Sequence, residues 1–312
     1  MRTRTTVVVV TWRGREHVRD CLAALAAQER PHRTLVVDNA SDDGTAELLA
    51  GHEVLRLPVN TGYAGGIAAA LGQVRTEYLA WLNDDAAPEP GWLAALEDEL
   101  DAHPDAAAVS SVLVDAGGAV TSAGTALDRD GYGLDLTGDA EPFGFCGGAV
   151  LLRTGALHAV GGVPAEFFCY YEDTDTAWRL RLAGYGIRHA NEARARHRHG
   201  ASTRPGSWRF HHWNERNRLF MLARCAPATV VGAQLAKFAL LALKPGLPAT
   251  PNFAPRLRLR VLGELLLAAP RLLAERRAVG RIARRGRARV WRAASSGAAA
   301  RIGADARGDR ID

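Results

Sequence analysis

Asn83, Asp84 and Asp85 follow directly on the apolar run Tyr78-Leu79-Ala80-Trp81-Leu82. Adjacent carboxylates repel each other, and ionised groups at the edge of a core need a partner. Mg²⁺ or Mn²⁺ suits them, because such ions take one or two protein carboxylates and complete their shell with substrate phosphates. The plainer alternative is that Asp84 and Asp85 cap the next helix, with Pro88 and Pro90 starting it. A second acidic group follows the aromatic run Phe167-Phe168-Cys169-Tyr170-Tyr171: Glu172, Asp173 and Asp175 fall within four residues. Aromatic neighbours desolvate a carboxylate and raise its proton affinity, which suits a general base. Asp173 could also serve merely as a helix N-cap. His197 and His199 follow a short strand, and either could complete a metal shell or contact a phosphate.

Two further stretches carry polar groups at strand ends. Asp38-Asn39-Ala40-Ser41-Asp42 follows Thr34-Leu35-Val36-Val37. Asp38 could accept from a base N–H or a ribose hydroxyl, with Thr11 at the neighbouring strand end; the turn could also be no more than a cap. Asn60-Thr61-Gly62-Tyr63-Ala64-Gly65-Gly66 leads into an Ala-rich helix. Glycines let backbone approach a ligand, and a helix N-terminus favours phosphate. The spacing is not G-x-G-x-x-G, and the first strand leads into Trp12-Arg13-Gly14-Arg15 with no glycine cradle. A dinucleotide-binding Rossmann domain and a P-loop are both disfavoured.

The elements that must position these groups alternate. Val7 to Val10 is a β-branched run of the kind buried on both faces of a sheet. Helices are expected with Val18, Leu22 and Leu25 on one face, over Thr45 to Ala50, from Gly66 to about Val74, and from Pro90 to Leu100. Strands are expected at Val54–Leu57, Ala108–Val114 and Cys146–Leu152. Residues 115–142 read as loops or short hairpins. Helices are again expected over Asp173–Ala183, which Gly184 ends, and over Ser207–Arg224. The alternation predicts an α/β fold with a mainly parallel sheet flanked by helices.

Hydrophobic content of 47% and charged content of 23% are those of an ordinary globular protein. The net charge of +5 hides a split. Residues 1–226 carry 22 Arg against 29 Asp plus Glu, and residues 227–312 carry 17 Lys plus Arg against 5 Asp plus Glu. A basic extension on an acidic body points to an anionic partner. From Arg256 to Arg292 the arginines interleave with leucines, as in helices that lie on anionic membrane surfaces. The expected organisation is a body over 1–226, a basic helical extension over 227–296, and a disordered tail over 297–312. Cys21, Cys146, Cys169 and Cys225 form no C-x-x-C pair, and no secretory signal is evident at the N-terminus; both fit a cytoplasmic protein.

Taken in order, VVVVTW (Val7–Trp12), VVDNASDDGT (Val36–Thr45), NTGYAGG (Asn60–Gly66), WLNDDA (Trp81–Ala86), CGGAVLLR (Cys146–Arg153), YYEDTDTAWRLRLAGY (Tyr170–Tyr185), HRHGAS (His197–Ser202) and RNR (Arg216–Arg218) resemble glycosyltransferase family 2. These are the inverting nucleotide-sugar transferases of GT-A fold, and the similarity is greatest to the bacterial rhamnosyltransferase and galactofuranosyltransferase-like branch. The resemblance covers about residues 5–225. It implies that Thr11, Asp38, Asn39, Asn60, Gly62 and Asp84 surround a nucleotide-sugar donor. Asp85 would ligate the metal with His197, His199 being the runner-up. Gly147, Gly148, Glu172 and Trp178 would face the acceptor, and Asp173 would be the catalytic base. Asn83 stands where a strict D-x-D has its first Asp, and Ile67 stands where relatives often carry Asn. The implied activity moves a hexose, with L-rhamnose from a dTDP donor foremost, onto a glycan or polyprenyl-linked acceptor at the inner face of the plasma membrane. No nucleic-acid partner is expected. A sugar nucleotidyltransferase would carry a Gly-rich basic signature after strand one, which is absent. A catalytically inactive sugar-nucleotide-binding or scaffolding relative is the other alternative.

Overall fold

The computed structural model describes residues 3–198, 206–243 and 254–295; His199 and the tail over 297–312 lie outside the described residues. The chain begins with β1 (Thr5–Thr11), α1 (Val18–Ala26), β2 (His32–Asp38), α2 (Thr45–Leu48), β3 (Val54–Arg56), α3 (Gly62–Leu71) and β4 (Tyr78–Asn83). It continues through β5 (Ala86–Pro88), α4 (Trp92–Ala102), β6 (Ala106–Val114), and three short strands, β7 (Val120–Ser122), β8 (Thr125–Leu127) and β9 (Gly133–Asp135). Then come β10 (Ala149–Arg153), α5 (Thr154–Ala159), α6 (Glu172–Leu182), β11 (Gly186–His197), α7 (Trp208–Cys225), α8 (Ala228–Leu243) and α9 (Pro255–Ile282).

The main sheet runs β3-β2-β1-β4-β10-β6-β11-β5, with β7 on β6. β1, β2, β3 and β4 are mutually parallel, β10 lies antiparallel between β4 and β6, and β11 runs parallel to β6. The β-branched run of β1 is wholly buried because both sheet faces are covered. Val8 and Val10 face one core with Leu79, Trp81, Leu152 and α6; Val7 and Val9 face the other with Leu22, Leu25, Trp92 and Leu96. On α1, Val18, Cys21, Leu22 and Leu25 repeat at helical spacing and form its buried stripe.

Several boundaries differ from the expected ones. The strand expected from Cys146 starts at Ala149, which leaves Gly147 and Gly148 as loop. A short strand, β5, intervenes before α4, whose N-cap is Gly91, so neither Asp84 nor Asp85 caps that helix. The basic extension shares the body's core: Leu257, Val261, Leu272 and Val279 of α9 join the cluster that holds Trp178 and Leu219.

Arg179 ties α6 into this core. It is 1% exposed and its Nε donates to Asp175 Oδ1 at 2.7 Å. The remaining N–H groups donate to the carbonyls of Val160 and Gly162 and to Thr176 Oγ1. A buried pair of this kind is weak evidence of net stabilisation, but removing Arg179 leaves the buried Asp175 with Arg224 as its only cation among the described residues, at 3.4 Å, and takes the guanidinium donors from the Val160 and Gly162 carbonyls. Arg179→Met is therefore expected to destabilise the fold by about 3–5 kcal/mol, read as a lowered urea midpoint. An unchanged midpoint would show that the pair contributes nothing.

Candidate active site

The carboxyl ends of β1, β2 and β4 lie side by side, since Thr11 pairs with Asp38 and Val10 with Asn83. Antiparallel β10 begins at the same edge, which brings Gly147 and Gly148 beside Asn83. His197, the last residue of β11, pairs with Ala86 of β5 and so faces Asp85. The result is an open cleft of about 720 Å³, lined from one side by Asn83, Asp84, Asp85 and His197 and from another by Glu172, Asp173 and Thr174.

On the first side, His197 Nε2 lies 3.1 Å from Asp85 Oδ1 and 3.2 Å from Asn83 Nδ2. Both Asp85 and His197 are nearly buried. Adjacent ligands about 2.1 Å from one octahedral ion sit roughly 3 Å apart, so this carboxylate and imidazole fit a shared divalent cation. No group of three or more His, Cys, Asp or Glu that could hold a metal occurs among the described residues. Any further ligands would have to come from other donors, from substrate or from water. Asp84 turns towards Thr11, whose Oγ1 donates to it at 2.6 Å. Burial, with help from the Asp85 charge, pushes the Asp84 carboxyl up to about 6 against that hydrogen bond.

The stretch from Asn60 to Gly62 is braced by Asn39. Its Nδ2 donates to the Gly62 carbonyl at 2.9 Å and its Oδ1 accepts from Thr61 N at 2.9 Å. Asn60 Oδ1 accepts from Gly62 N. Gly62 has φ +74°, and an added Cβ would stand 2.2 Å from the Phe168 carbonyl, so only glycine fits. Asn39, Asn60 and Gly62 line the cleft. Thr11 and Asp38 sit just behind the lining: each is 1% exposed, and Asp38 accepts from Ser41 N and faces Arg56 at 3.3 Å.

On the second side, Asp173 sits in the first turn of α6, where the helix dipole favours an anion. Its Oδ2 accepts from Gly147 N at 3.0 Å, and its Oδ1 accepts from the Thr174 amide and hydroxyl. Burial raises its proton affinity above that of an ordinary carboxylate, while those three donors oppose the shift. Glu172 is raised as well, by burial and then by the Asp173 charge, and its Oε2 has no hydrogen-bond partner. Of the two, Glu172 holds the proton and Asp173 the charge: burial and the Asp173 charge push Glu172 up to about 8 against its backbone donors, whereas three donors, one of them a hydroxyl, favour the Asp173 anion.

This assignment sets the sign of a pH effect. A carboxyl whose folded proton affinity exceeds its ordinary value near 4.5 costs stability once the pH rises above that value. Glu172→Gln should melt higher than the parent at pH 8 and converge with it near pH 4 in thermal scans. An equal difference at both pH values would remove the buried charge as its cause.

Trp178 does not reach the cleft, contrary to the acceptor role implied for it. It is fully buried, edge-on to Phe143 and stacked on Trp291 at 5.6 Å. Five residues past Asp173, it emerges on a different side of α6. Other contributors were not singled out from the sequence. Tyr63 OH donates to the Gly147 carbonyl at 2.7 Å and so links α3 to the loop that holds Asp173. Asp135 of β9 and Arg209, Trp213 and Asn214 of α7 also line the cleft. Tyr63 belongs to the N-T-G-Y-A-G-G string, which could have flagged it; Asp135 lies in a stretch that reads as loops or short hairpins, and it sits in one of the latter, β8–β9. Cys146 and Cys169 line the cleft as thiols: burial pushes Cys146 up to about 12 and Cys169 well above its ordinary value, so neither is a nucleophile at neutral pH.

Backbone strain gathers here too. The five non-glycine residues with positive φ among those described are Arg13, Ala40, Phe168, Tyr170 and Tyr171. Arg13 and Ala40 follow β1 and β2, and the other three lead into α6. Such conformations persist only where surrounding contacts over-determine them.

Comparison with known proteins agrees with this geometry. The family model described as Glycosyl transferase family 2 matches residues 6–161. An N-acetylglucosaminyl-diphospho-decaprenol L-rhamnosyltransferase of Mycobacterium tuberculosis is 28% identical over 235 residues, which cover 63% of this chain and 76% of the relative. A mannosyltransferase from Pyrobaculum calidifontis, solved with GDP-Man and Mn²⁺, superposes with TM-score 0.53 at 18% identity, covering 90% of this chain and 86% of that one. S. aureus TarS in complex with UDP-GlcNAc gives TM-score 0.57 at 20% identity, covering 88% and 84%. These likenesses carry the GT-A fold, and the family match includes Thr11, Asn39 and Asp85. The chain belongs to glycosyl transferase family 2.

Proposed function

We propose that this protein is a metal-dependent, inverting transferase acting at the inner face of the plasma membrane. It moves a hexose from a nucleotide sugar to a hydroxyl of a glycan or polyprenyl-linked acceptor in cell-envelope polysaccharide synthesis. L-Rhamnose from dTDP-rhamnose is the foremost donor, on the strength of the mycobacterial relative's name. The observation that carries the reading is the facing of two acidic centres across one cleft: Asp85 with His197 on one wall, and Asp173, held by Gly147 N, on the other.

Asp173 takes the proton of the acceptor hydroxyl, and that oxygen bonds to the anomeric carbon as the bond to the diphosphate oxygen breaks. Attack from the face opposite the leaving group inverts the anomeric centre, and no covalent enzyme intermediate is needed. Asp85 and His197 would hold Mg²⁺ or Mn²⁺, which supplies positive charge against the departing diphosphate. Asn39, Asn60 and Gly62 shape the donor side, Gly147 keeps the space beside Asp173 open, and Gly148 does the same beside Asn83 and His197.

The test is a thermal-shift screen of nucleotide sugars with and without Mn²⁺, followed by transfer to a polyprenyl-diphosphate-linked acceptor and NMR of the product. Metal-dependent stabilisation and an anomeric configuration opposite to the donor's are expected. A product of retained configuration would sink the mechanism, and donor hydrolysis without transfer to any acceptor would sink the activity.

A further inference from the structure

We infer that the outer face of α9, with the adjoining end of α8, is a docking surface for an anionic lipid bilayer. The surface is built from one helix face. Leu259, Leu266, Leu267 and Leu273 are between 52% and 87% exposed. Their spacing of seven, eight and fourteen residues keeps them on one side of the helix. Gly263, Pro270 and Ala274 share that side, so its central stretch carries no charge. Leu240 and Leu243 at the end of α8 add exposed apolar surface. Scattered exposed leucines are ordinary; an ordered stripe of them on one helix needs a partner.

The charge pattern selects that partner. Exposed Arg256 lies at one end of the stripe, and exposed Arg277 and Arg281 lie at the other. The two glutamates of α9 turn away from it. Glu264 is taken by His212 and Arg260, and Glu275 faces Arg224 and Arg271. The outer face therefore offers leucines flanked by guanidinium groups, with no carboxylate among them. Leucines that enter the acyl boundary while arginines meet lipid phosphates match this arrangement. Among the described residues no helix is long and apolar enough to cross a membrane, so the contact lies in the plane of the surface.

The surface continues to the cleft. Arg260 stands 5.0 Å over the Trp208 ring, which stacks on His212. The same end of α7 supplies Ser207, Arg209, Trp213 and Asn214 to the cleft wall, and Trp213 packs 4.7 Å from Phe168. Docking through α9 thus brings the cleft mouth to the interface. The consequence for lipid-linked acceptors rests on the function proposed above; the docking itself does not.

The experiment is co-sedimentation of the full chain with phosphatidylcholine vesicles made with and without phosphatidylglycerol. Binding is expected to the anionic vesicles, falling as salt rises. Leu266→Glu/Leu267→Glu should cut it at least roughly tenfold while melting as the parent does, because both side chains already face solvent. Arg277→Glu/Arg281→Glu should abolish the preference for phosphatidylglycerol. Equal vesicle binding by the leucine variant, or none by the parent, overturns the proposal. A dimer in sedimentation equilibrium that the leucine variant dissolves, with no vesicle binding, assigns the face to a second copy and also overturns it. Vesicle binding without glycosyl transfer to any acceptor would leave the docking surface standing and remove only the proposed activity.

Discussion

Asp173→Asn will lower the rate of sugar transfer by roughly 10²–10⁴-fold, the range a positioned general base contributes. Three donors converge on the two carboxylate oxygens, from Gly147 N, Thr174 N and Thr174 Oγ1. An asparagine has one acceptor oxygen, so it can satisfy one side of this set and neither removes a proton nor carries charge. The proposed nucleotide-sugar pocket around Asn39, Asn60 and Gly62 is held by its own hydrogen bonds, none of them to this side chain. Donor-induced thermal stabilisation should therefore survive, while kcat and kcat/KM for the acceptor fall together. The parent's kcat/KM should also decline towards acid, with a limb above the ordinary carboxylate range, because burial raises the proton affinity of Asp173. Transfer by the asparagine variant at near parental rate would exclude Asp173 as the base.

The parts of the site that were legible in the sequence share a physical cause. Residues at the ends of buried strands have no packing reason to be polar, so Asn83-Asp84-Asp85 after Tyr78–Leu82 stands out in the sequence itself. The same holds for Asp38-Asn39 at the end of β2; His197 ends the half-exposed β11, and only its company with the two carboxylate groups marks it. What periodicity could not supply was direction. Nine of the eleven residues of α6 are buried, so the helix has no apolar stripe to say that Asp173 opens on the cleft and Trp178 on the core. For Thr11 and Asp38 the strand end shows which edge they occupy and not that each is only 1% exposed there. The basic extension read as an appendage from its charge. Its inward leucines and valines are spaced as in any amphipathic helix, and only the fold shows that the body is what covers them.

Asn217 was visible only as the middle of an Arg-Asn-Arg string, and it carries the second large expected effect. Its side chain is fully buried, and Nδ2 lies 2.9, 2.8 and 2.8 Å from the carbonyls of Phe167, Cys169 and Tyr170. Arg216 donates to the carbonyls of Glu166 and Phe167 beside it. Two of those three carbonyls belong to the turn in which Phe168, Tyr170 and Tyr171 adopt left-handed backbone, a conformation that costs on the order of 1–3 kcal/mol per residue. That turn ends at Glu172-Asp173 and packs on Gly62, so one amide fixes where the base begins and where the donor loop stops. Asn217→Leu keeps the volume and removes the shared donor; the Phe167 carbonyl keeps Arg216 and Cys169 N, so the loss falls on the bonds to the Cys169 and Tyr170 carbonyls, at roughly 1–3 kcal/mol each. A clear fall in Tm is expected. Well below that Tm, kcat per folded molecule should drop by about 10²-fold, as small misplacements of a catalytic group do, with donor affinity changed far less. Faster hydrogen exchange confined to residues 167–173 would mark the loosened turn. A variant that melts early yet turns over at the parental rate when folded would reduce Asn217 to a prop of the core, and the placing of Asp173 would then have to rest on Gly147 and the helix alone.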